Sequence, residues 1–282
     1  DLEGNVVRDV GDMVLQYSSN PSNDGTLVAL NILDQAQNNT DIWIQDLRRN
    51  IRTRLTFHEW GDVSPVWSPD DSLIAWASRH PERPGIYVKA ANGAGEERLV
   101  YPTTNTVFAR DWSPDGKYIV ASENIDSAAI TVIPLEEGQE PFTFMDTPAN
   151  EYDPQFSPDG RWLAFGSDET EKEQVYVAAF PERGGKWQVS TQEGDRPRWG
   201  PDGTVLYYLD NADRIIAAEV DGTGAAFRIG EVSPLFEVRG VRPGPIFGVL
   251  PDGSGFLVNE RLSDLDMSRM VLVQNWPGIL DD

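Results

Sequence analysis

The sequence predicts an all-β chain, a six-bladed β-propeller of four-stranded antiparallel blades whose ring is closed by the N-terminal strand. Three observations carry this. A turn motif recurs six times at near-constant spacing, each copy is followed by the same succession of short apolar runs, and no window holds the 3.6-residue periodicity of a helix.

The motif reads Trp67-Ser68-Pro69-Asp70-Asp71, Trp112-Ser113-Pro114-Asp115-Gly116, Phe156-Ser157-Pro158-Asp159-Gly160, Trp199-Gly200-Pro201-Asp202-Gly203 and Leu250-Pro251-Asp252-Gly253, with a degenerate copy at Ser22-Asn23-Asp24-Gly25. The turns therefore fall near 22–25, 69–71, 114–116, 158–160, 201–203 and 251–253. From Asp24 through Asp70, Asp115, Asp159 and Asp202 to Asp252 the spacings are 46, 45, 44, 43 and 50 residues, close to the propeller-blade period of about 40–45. Proline presets φ and glycine supplies the positive φ that closes a tight turn. Asn23 stands in place of the turn proline and Asp71 in place of the turn glycine, departures expected to alter local turn geometry only.

Each turn joins a short apolar run to a block such as Leu73-Ile74-Ala75-Trp76 or Trp162-Leu163-Ala164-Phe165. Unbroken apolar blocks mark strands covered on both faces, as when a blade packs between two neighbours. A third run follows once per repeat, for example Ile86-Tyr87-Val88 and Val175-Tyr176-Val177. A weaker fourth comes next, as in Arg52-Thr53-Arg54-Leu55-Thr56 and Trp187-Gln188-Val189-Ser190, with the polar character of a protected edge. The last repeat runs out soon after Val273, whereas Asn5-Val6-Val7-Arg8 precede the first blade without a partner. The N-terminal strand is thus expected to complete the last blade, and residues 1–282 to form one domain. Trp67, Trp112, Phe156 and Trp199 recur at one repeat position and are expected between blades.

Composition bounds the partners. The apolar set is 39% of 282 residues before the 25 glycines are added, enough for a sizeable core. A net charge of −23 would repel phosphate backbones and anionic lipid surfaces, so neither nucleic acid nor membrane insertion is expected. Lysine is scarce among the basic residues, a hint of a saline source. No cysteine is present, which excludes disulfides and thiolate chemistry. No apolar stretch reaches the 18 or more residues of a membrane helix. The abrupt start at Asp1, without a leader, is read as a trimmed or processed piece of a longer chain.

On these motifs the chain resembles the TolB-like propellers with WSPDG-type repeats, relatives of WD-type repeats. Runs such as Asn150-Glu151-Tyr152-Asp153-Pro154-Gln155-Phe156-Ser157-Pro158-Asp159-Gly160-Arg161-Trp162-Leu163-Ala164 and Gly185-Lys186-Trp187-Gln188-Val189-Ser190 resemble most the propeller that lies C-terminal to the transmembrane segment of bacterial serine/threonine kinases. The resemblance implies a periplasmic or extracellular sensor domain. The repeats specify fold more than function, since one scaffold hosts many activities.

Chemistry is sought where the chain enters each blade, because those segments face the pore mouth of a propeller. They contribute Asp62, Arg110, Asp111, Glu151, Tyr152, Asp153, Arg196, Arg198 and Arg242. This mixed ring could grip a peptide terminus or a small polar ligand by charge-assisted hydrogen bonds; the alternative is that the groups pair with one another and tie the blades together. The six turn aspartates are expected to cap their own backbone. His58 and His80 are read as exposed loop residues, and no G-x-S-x-G, H-E-x-x-H or phosphate-cradling loop is present. Asp210-Asn211-Ala212-Asp213 and Asp264-Leu265-Asp266 lack the spacing of a calcium cage and are read as solvated turns. The expectation is a monomeric, non-catalytic binding or sensor propeller for a protein, peptide or small polar ligand, with no cofactor, metal or catalytic residue assigned. A hydrolase or lyase with its site in the channel, or an interaction scaffold like the Tol-system propeller, are the alternatives.

Overall fold

The computed structural model describes residues 6–14, 16–34, 36–124, 128–145, 147–182, 184–224, 226–238, 247–261 and 268–274. They contain strands and no helix. After β1 (Val6–Val14), blade 1 is β2 (Gln16–Pro21), β3 (Leu27–Asp34), β4 (Asn39–Asp46) and β5 (Ile51–Arg54). Blade 2 is β6 (Asp62–Trp67), β7 (Leu73–Ser78), β8 (Gly85–Ala90) and β9 (Arg98–Pro102). Blade 3 is β10 (Thr106–Trp112), β11 (Tyr118–Asn124), β12 (Ala128–Pro134) and β13 (Phe142–Met145). Blade 4 is β14 (Glu151–Phe156), β15 (Trp162–Ser167), β16 (Gln174–Ala179) and β17 (Lys186–Gln188). Blade 5 is β18 (Gly194–Trp199), β19 (Val205–Asp210), β20 (Arg214–Asp221) and β21 (Arg228–Glu237). Blade 6 is β22 (Phe247–Val249), β23 (Gly255–Arg261) and β24 (Ser268–Gln274), with β1 as its fourth strand.

Every sheet is antiparallel, and the first strands of the blades, β2, β6, β10, β14, β18 and β22, contact one another in a closed circle. Ring closure follows the sequence expectation: Val6 pairs with Val273, Val10 with Met270 and Val14 with Ser268. Val10 is buried among Val28, Leu257 and Met270, so the closing strand contributes to the core between blades 6 and 1.

The core is not one mass but six layers, one between each pair of neighbouring blades. Strand β15 shows why its apolar block is unbroken. Leu163 and Phe165 pack with Val120 and Phe144 of blade 3, whereas Trp162 and Ala164 pack with Trp199 and Leu206 of blade 5. Successive side chains point to opposite faces of a strand, and both faces are interior. Burying each large side chain stabilises by roughly 1.5–3 kcal/mol relative to exposure. Trp67, Trp112, Phe156 and Trp199 are 4–7% exposed and join successive inter-blade layers, as expected.

The turns also form a circle. Gly116 lies against Pro69, Gly160 against Pro114, Gly203 against Pro158, Gly253 against Pro201 and Gly25 against Pro251. Each of these glycines has φ between 68° and 76°, where a side chain would be strained. The turn aspartates cap their own loops: Asp70, for example, accepts from the Ser72 amide at 3.1 Å and the Ser68 hydroxyl at 2.6 Å. Those hydroxyl bonds, from Ser68 first and Ser72 second, hold its carboxyl down at about 2.

Candidate functional site

The six inner strands enclose a central channel of about 370 Å³. Its walls come from one repeat position in particular, the residue before the buried aromatic of blades 2 to 5 and before Pro21 and Val249 in blades 1 and 6. Across the blades that position is Asn20, Val66, Asp111, Gln155, Arg198 and Gly248. Four of these carry charge or an amide, three of them (Asp111, Gln155 and Arg198) on the successive blades 3, 4 and 5. Gln155 and Asn20 were not among the candidates read from the sequence, although aligning the repeats on their turn motif would have found them.

Local backbone irregularity aims the charged side chains. A register shift interrupts β6, β10, β14 and β18 just before this position. In three of them a non-glycine residue sits there at positive φ: Ser64 (55°), Asp153 (50°) and Arg196 (53°). Such bulges re-aim side chains and are common beside functional sites. Proline follows the irregular residue in these blades (Pro65, Pro154, Pro197), whereas blade 3 has Arg110 there, and its guanidinium Nη1 reaches Asp153 Oδ1 of the next blade at 2.8 Å. Arg110 Nε also donates to Ser122 Oγ at 3.1 Å.

Burial works to raise the Asp153 carboxyl, and the guanidinium groups of Arg110, Arg198 and Arg196 outweigh it, holding the group below its usual range. Asp111 behaves oppositely. Its Oδ1 accepts from the Trp112 amide at 2.9 Å and Oδ2 from the Phe156 amide at 2.8 Å. Burial nevertheless pushes it up to about 7, with the two amides and Arg198 opposing. In blade 4 Gln155 plays the equivalent bridging part, its Oε1 accepting from the Trp199 amide at 2.7 Å.

Arg198 cannot bridge in this way because a guanidinium only donates. Nη1 donates to the Pro197 carbonyl at 2.7 Å, and the group stands 6.0 Å from the Phe247 ring centre. Among the described residues Arg198 has no carboxylate within salt-bridge distance, whereas Arg110 has Asp153 and Arg196 has Asp195 at 3.0 Å. Burial lowers the Arg198 pKa, opposed by Asp153 and Asp111 and reinforced by Arg110 and Arg196.

The remaining candidates lie elsewhere. Asp62 is fully buried, with Oδ2 2.8 Å from His58 Nδ1. His58 is not a freely exposed loop residue: its other ring nitrogen is 3.0 Å from Glu97 Oε2, and its ring stacks on Trp60 at 4.6 Å. Glu151 is 1% exposed and accepts from the Thr147 hydroxyl; burial raises its pKa against that bond. The Tyr152 ring lies over Gly166, where a Cβ would come within 2.4 Å of it. Burial raises its hydroxyl pKa, with Glu173 and Asp195 adding. Arg242 and the run from Asp264 to Asp266 lie outside the described residues. Asp210 is taken up by Arg214 at 2.6 Å. Among the described residues no three His, Cys, Asp or Glu side chains come together as a metal-holding group, and no helix is long and apolar enough to cross a membrane.

Fold and channel define a six-bladed β-propeller with a charged central cavity. No protein-family model matches the chain. It is 26% identical over 174 residues to the uncharacterized peptidase YuxL of Bacillus subtilis, a match that covers 48% of this chain and 26% of that protein, so the chain spans about a quarter of the curated relative's length. In structure it is similar to TolB from Acinetobacter baumannii, with a TM-score of 0.64 at 17% identity over 90% of this chain and 66% of that one. It is also similar to an oligogalacturonate lyase in complex with manganese, with a TM-score of 0.64 at 13% identity over 96% and 98% of the two chains. At these identities the likeness is one of fold.

Proposed function

We propose that this propeller is a non-catalytic binding domain whose channel holds the anionic end of a peptide or other small polar ligand. The observation that carries the reading is Arg198, a guanidinium on the channel wall with no carboxylate partner among the described residues. A partly desolvated guanidinium gains most from a planar carboxylate, which it can meet with two parallel hydrogen bonds. Arg110, Asp111, Asp153 and Arg196 make up the charged surroundings, while Asp62 and Glu151 serve the protein interior. The name peptidase on the curated relative supports polypeptide as the ligand class. The likeness to kinase-associated propellers in the repeat sequences supports a sensor role within a longer chain, working in the periplasm or outside the cell.

The test is calorimetric titration of a tripeptide with a free C-terminal carboxylate and of its C-terminal amide. The acid should bind and the amide should not, and Arg198→Gln should abolish binding. Affinity should fall as salt rises, because local arginines hold the anion against a chain of net charge −23. Equal binding of acid and amide, or binding untouched by Arg198→Gln, would move the site away from the channel.

A further inference from the structure

The channel wall is not uniform around its circumference. Blades 3, 4 and 5 present Asp111, Gln155 and Arg198, and blades 6, 1 and 2 present Gly248, Asn20 and Val66 at the same repeat position. On the second arc the Asn20 side-chain Nδ2 donates to the Pro65 carbonyl at 2.6 Å. Pro21, next to Asn20 on β2, and Val249 on β22 also line the cavity. Gly248 has no side chain to interrupt this surface, and a Cβ there would stand 2.8 Å from Pro21 Cδ. One arc of the channel is therefore polar and the other largely apolar.

The polar arc is further reduced by its own bonds. Both Asp111 oxygens and the Gln155 carbonyl oxygen accept backbone amides, and Arg110 is shared between Asp153 and Ser122. Arg198 on blade 5 retains guanidinium donors without a carboxylate, with Val66 on the opposite blade 2 and Val249 on the neighbouring blade 6. A dicarboxylate or a sugar would set polar groups against the apolar arc and leave them without partners, at a cost for each.

We infer that the channel selects monocarboxylates with an aliphatic body, the carboxylate at Arg198 and the hydrocarbon along Val66, Val249 and Pro21. This rests on the binding function proposed above and adds the class of ligand. A cavity of about 370 Å³ has room for roughly a dozen waters at liquid density, which suits an acid of six to eight carbons or a peptide C-terminus ending in an aliphatic residue.

The experiment titrates the folded chain with acetate, butanoate, hexanoate and octanoate at pH 6, with 1-hexanol as the uncharged control. Affinity should rise by about fourfold per added methylene until the cavity is filled. Hexanol should bind roughly tenfold more weakly than hexanoate or worse. Arg198→Gln should weaken every acid and leave hexanol unchanged. Val249→Asn should flatten the chain-length dependence while acetate binding persists; Val66→Thr, a smaller change at a more buried position, should flatten it partly. Acids that bind equally at every length would overturn the selectivity and leave the anion site standing. Failure of all four acids to bind would overturn the anion site itself and this inference with it.

Discussion

Asn23 and Asp71, the two residues that break the repeat motif, bind each other. The backbone amide and the side-chain amide of Asn23 both donate to Asp71 Oδ1 at 2.8 Å, and the Asp24 amide donates to Oδ2 at 2.9 Å. Between every other pair of adjacent blades a turn glycine lies against the preceding turn proline. At the sixth junction, between blades 1 and 2, proline has become a residue with an N–H to give. Glycine has become an acceptor held at φ 57°. The departures are one substitution of contact type, made on both sides at once.

Reverting one side alone should therefore destabilise, and reverting both should not. Asp71→Gly relieves the positive φ but strands three donors, and Asn23→Pro removes two of them. A double-mutant cycle in urea should give a favourable coupling of about 1 kcal/mol between the native pair, with Asn23→Pro/Asp71→Gly recovering most of the loss. Additive single effects would show that the bonds contribute nothing measurable.

Trp112 is 7% exposed in the layer between blades 2 and 3, and its indole N–H donates to the Gly116 carbonyl at 3.2 Å. Truncation to Ala opens a cavity that two flanking sheets cannot readily close, and should cost about 3–5 kcal/mol. Phe57, 68% exposed, is the control: Phe57→Ala should change stability by less than about 0.5 kcal/mol. Denaturation midpoints of the two variants decide the matter, and similar values would contradict the layered core.

How far the sequence reached follows from the range of each interaction. Strand and turn are specified locally, within a run like Trp162–Phe165 and the turn before it, so six repetitions made the fold and its closure by β1 legible. The direction of a side chain at the channel is not local in this sense. Asp62 and Asp153 stand in equivalent entry segments, yet one is buried against His58 and the other meets Arg110, because strand residues alternate faces and the irregularity at Ser64 or Asp153 shifts that alternation. The ion pair between Arg110 and Asp153 spans a full repeat, and a four-residue window cannot reveal it. The bond between Asn23 and Asp71 was hidden likewise, each residue seeming an isolated lapse in its own copy.

Arg110→Ala should destabilise chiefly at neutral pH. Asp153 has a lowered folded-state pKa, so its favourable contribution is complete above the ordinary aspartate value near 3.8 and is lost as pH falls through the lower one. Without Arg110 the carboxylate remains partly buried and loses its nearest cation, a loss of about 3 kcal/mol. The deficit should shrink on acidification, when Asp153 takes up a proton. Unfolding curves at pH 3 and pH 7 measure it, and a deficit equal at both values would mean that Arg110 acts through packing rather than charge.

Asp111 carries the opposite sign. Its carboxyl moves from 3.8 to about 7 on folding, with burial as the main cause. Between those values the folded chain holds a proton that the unfolded chain has released, so the contribution to stability is greatest below about pH 4 and declines up to about pH 7. At about 1.4 kcal/mol per unit the cost above pH 7 is on the order of 4–5 kcal/mol. Asp111→Asn cannot ionise and keeps a single acceptor oxygen for two backbone amides, which costs about 1 kcal/mol at every pH. The variant should therefore be the less stable protein near pH 4 and gain on the wild type steadily as pH rises to 7, with no further change beyond pH 8. Carboxylate probes should follow the same titration, because an ionised Asp111 both repels an incoming anion and partly neutralises Arg198. Their affinity for the wild type should drop as pH passes through 7, and for Asp111→Asn it should stay level. A stability difference between variant and wild type that does not vary from pH 4 to pH 8 would show that Asp111 is already ionised throughout, and that the channel carries one more negative charge than its geometry implies.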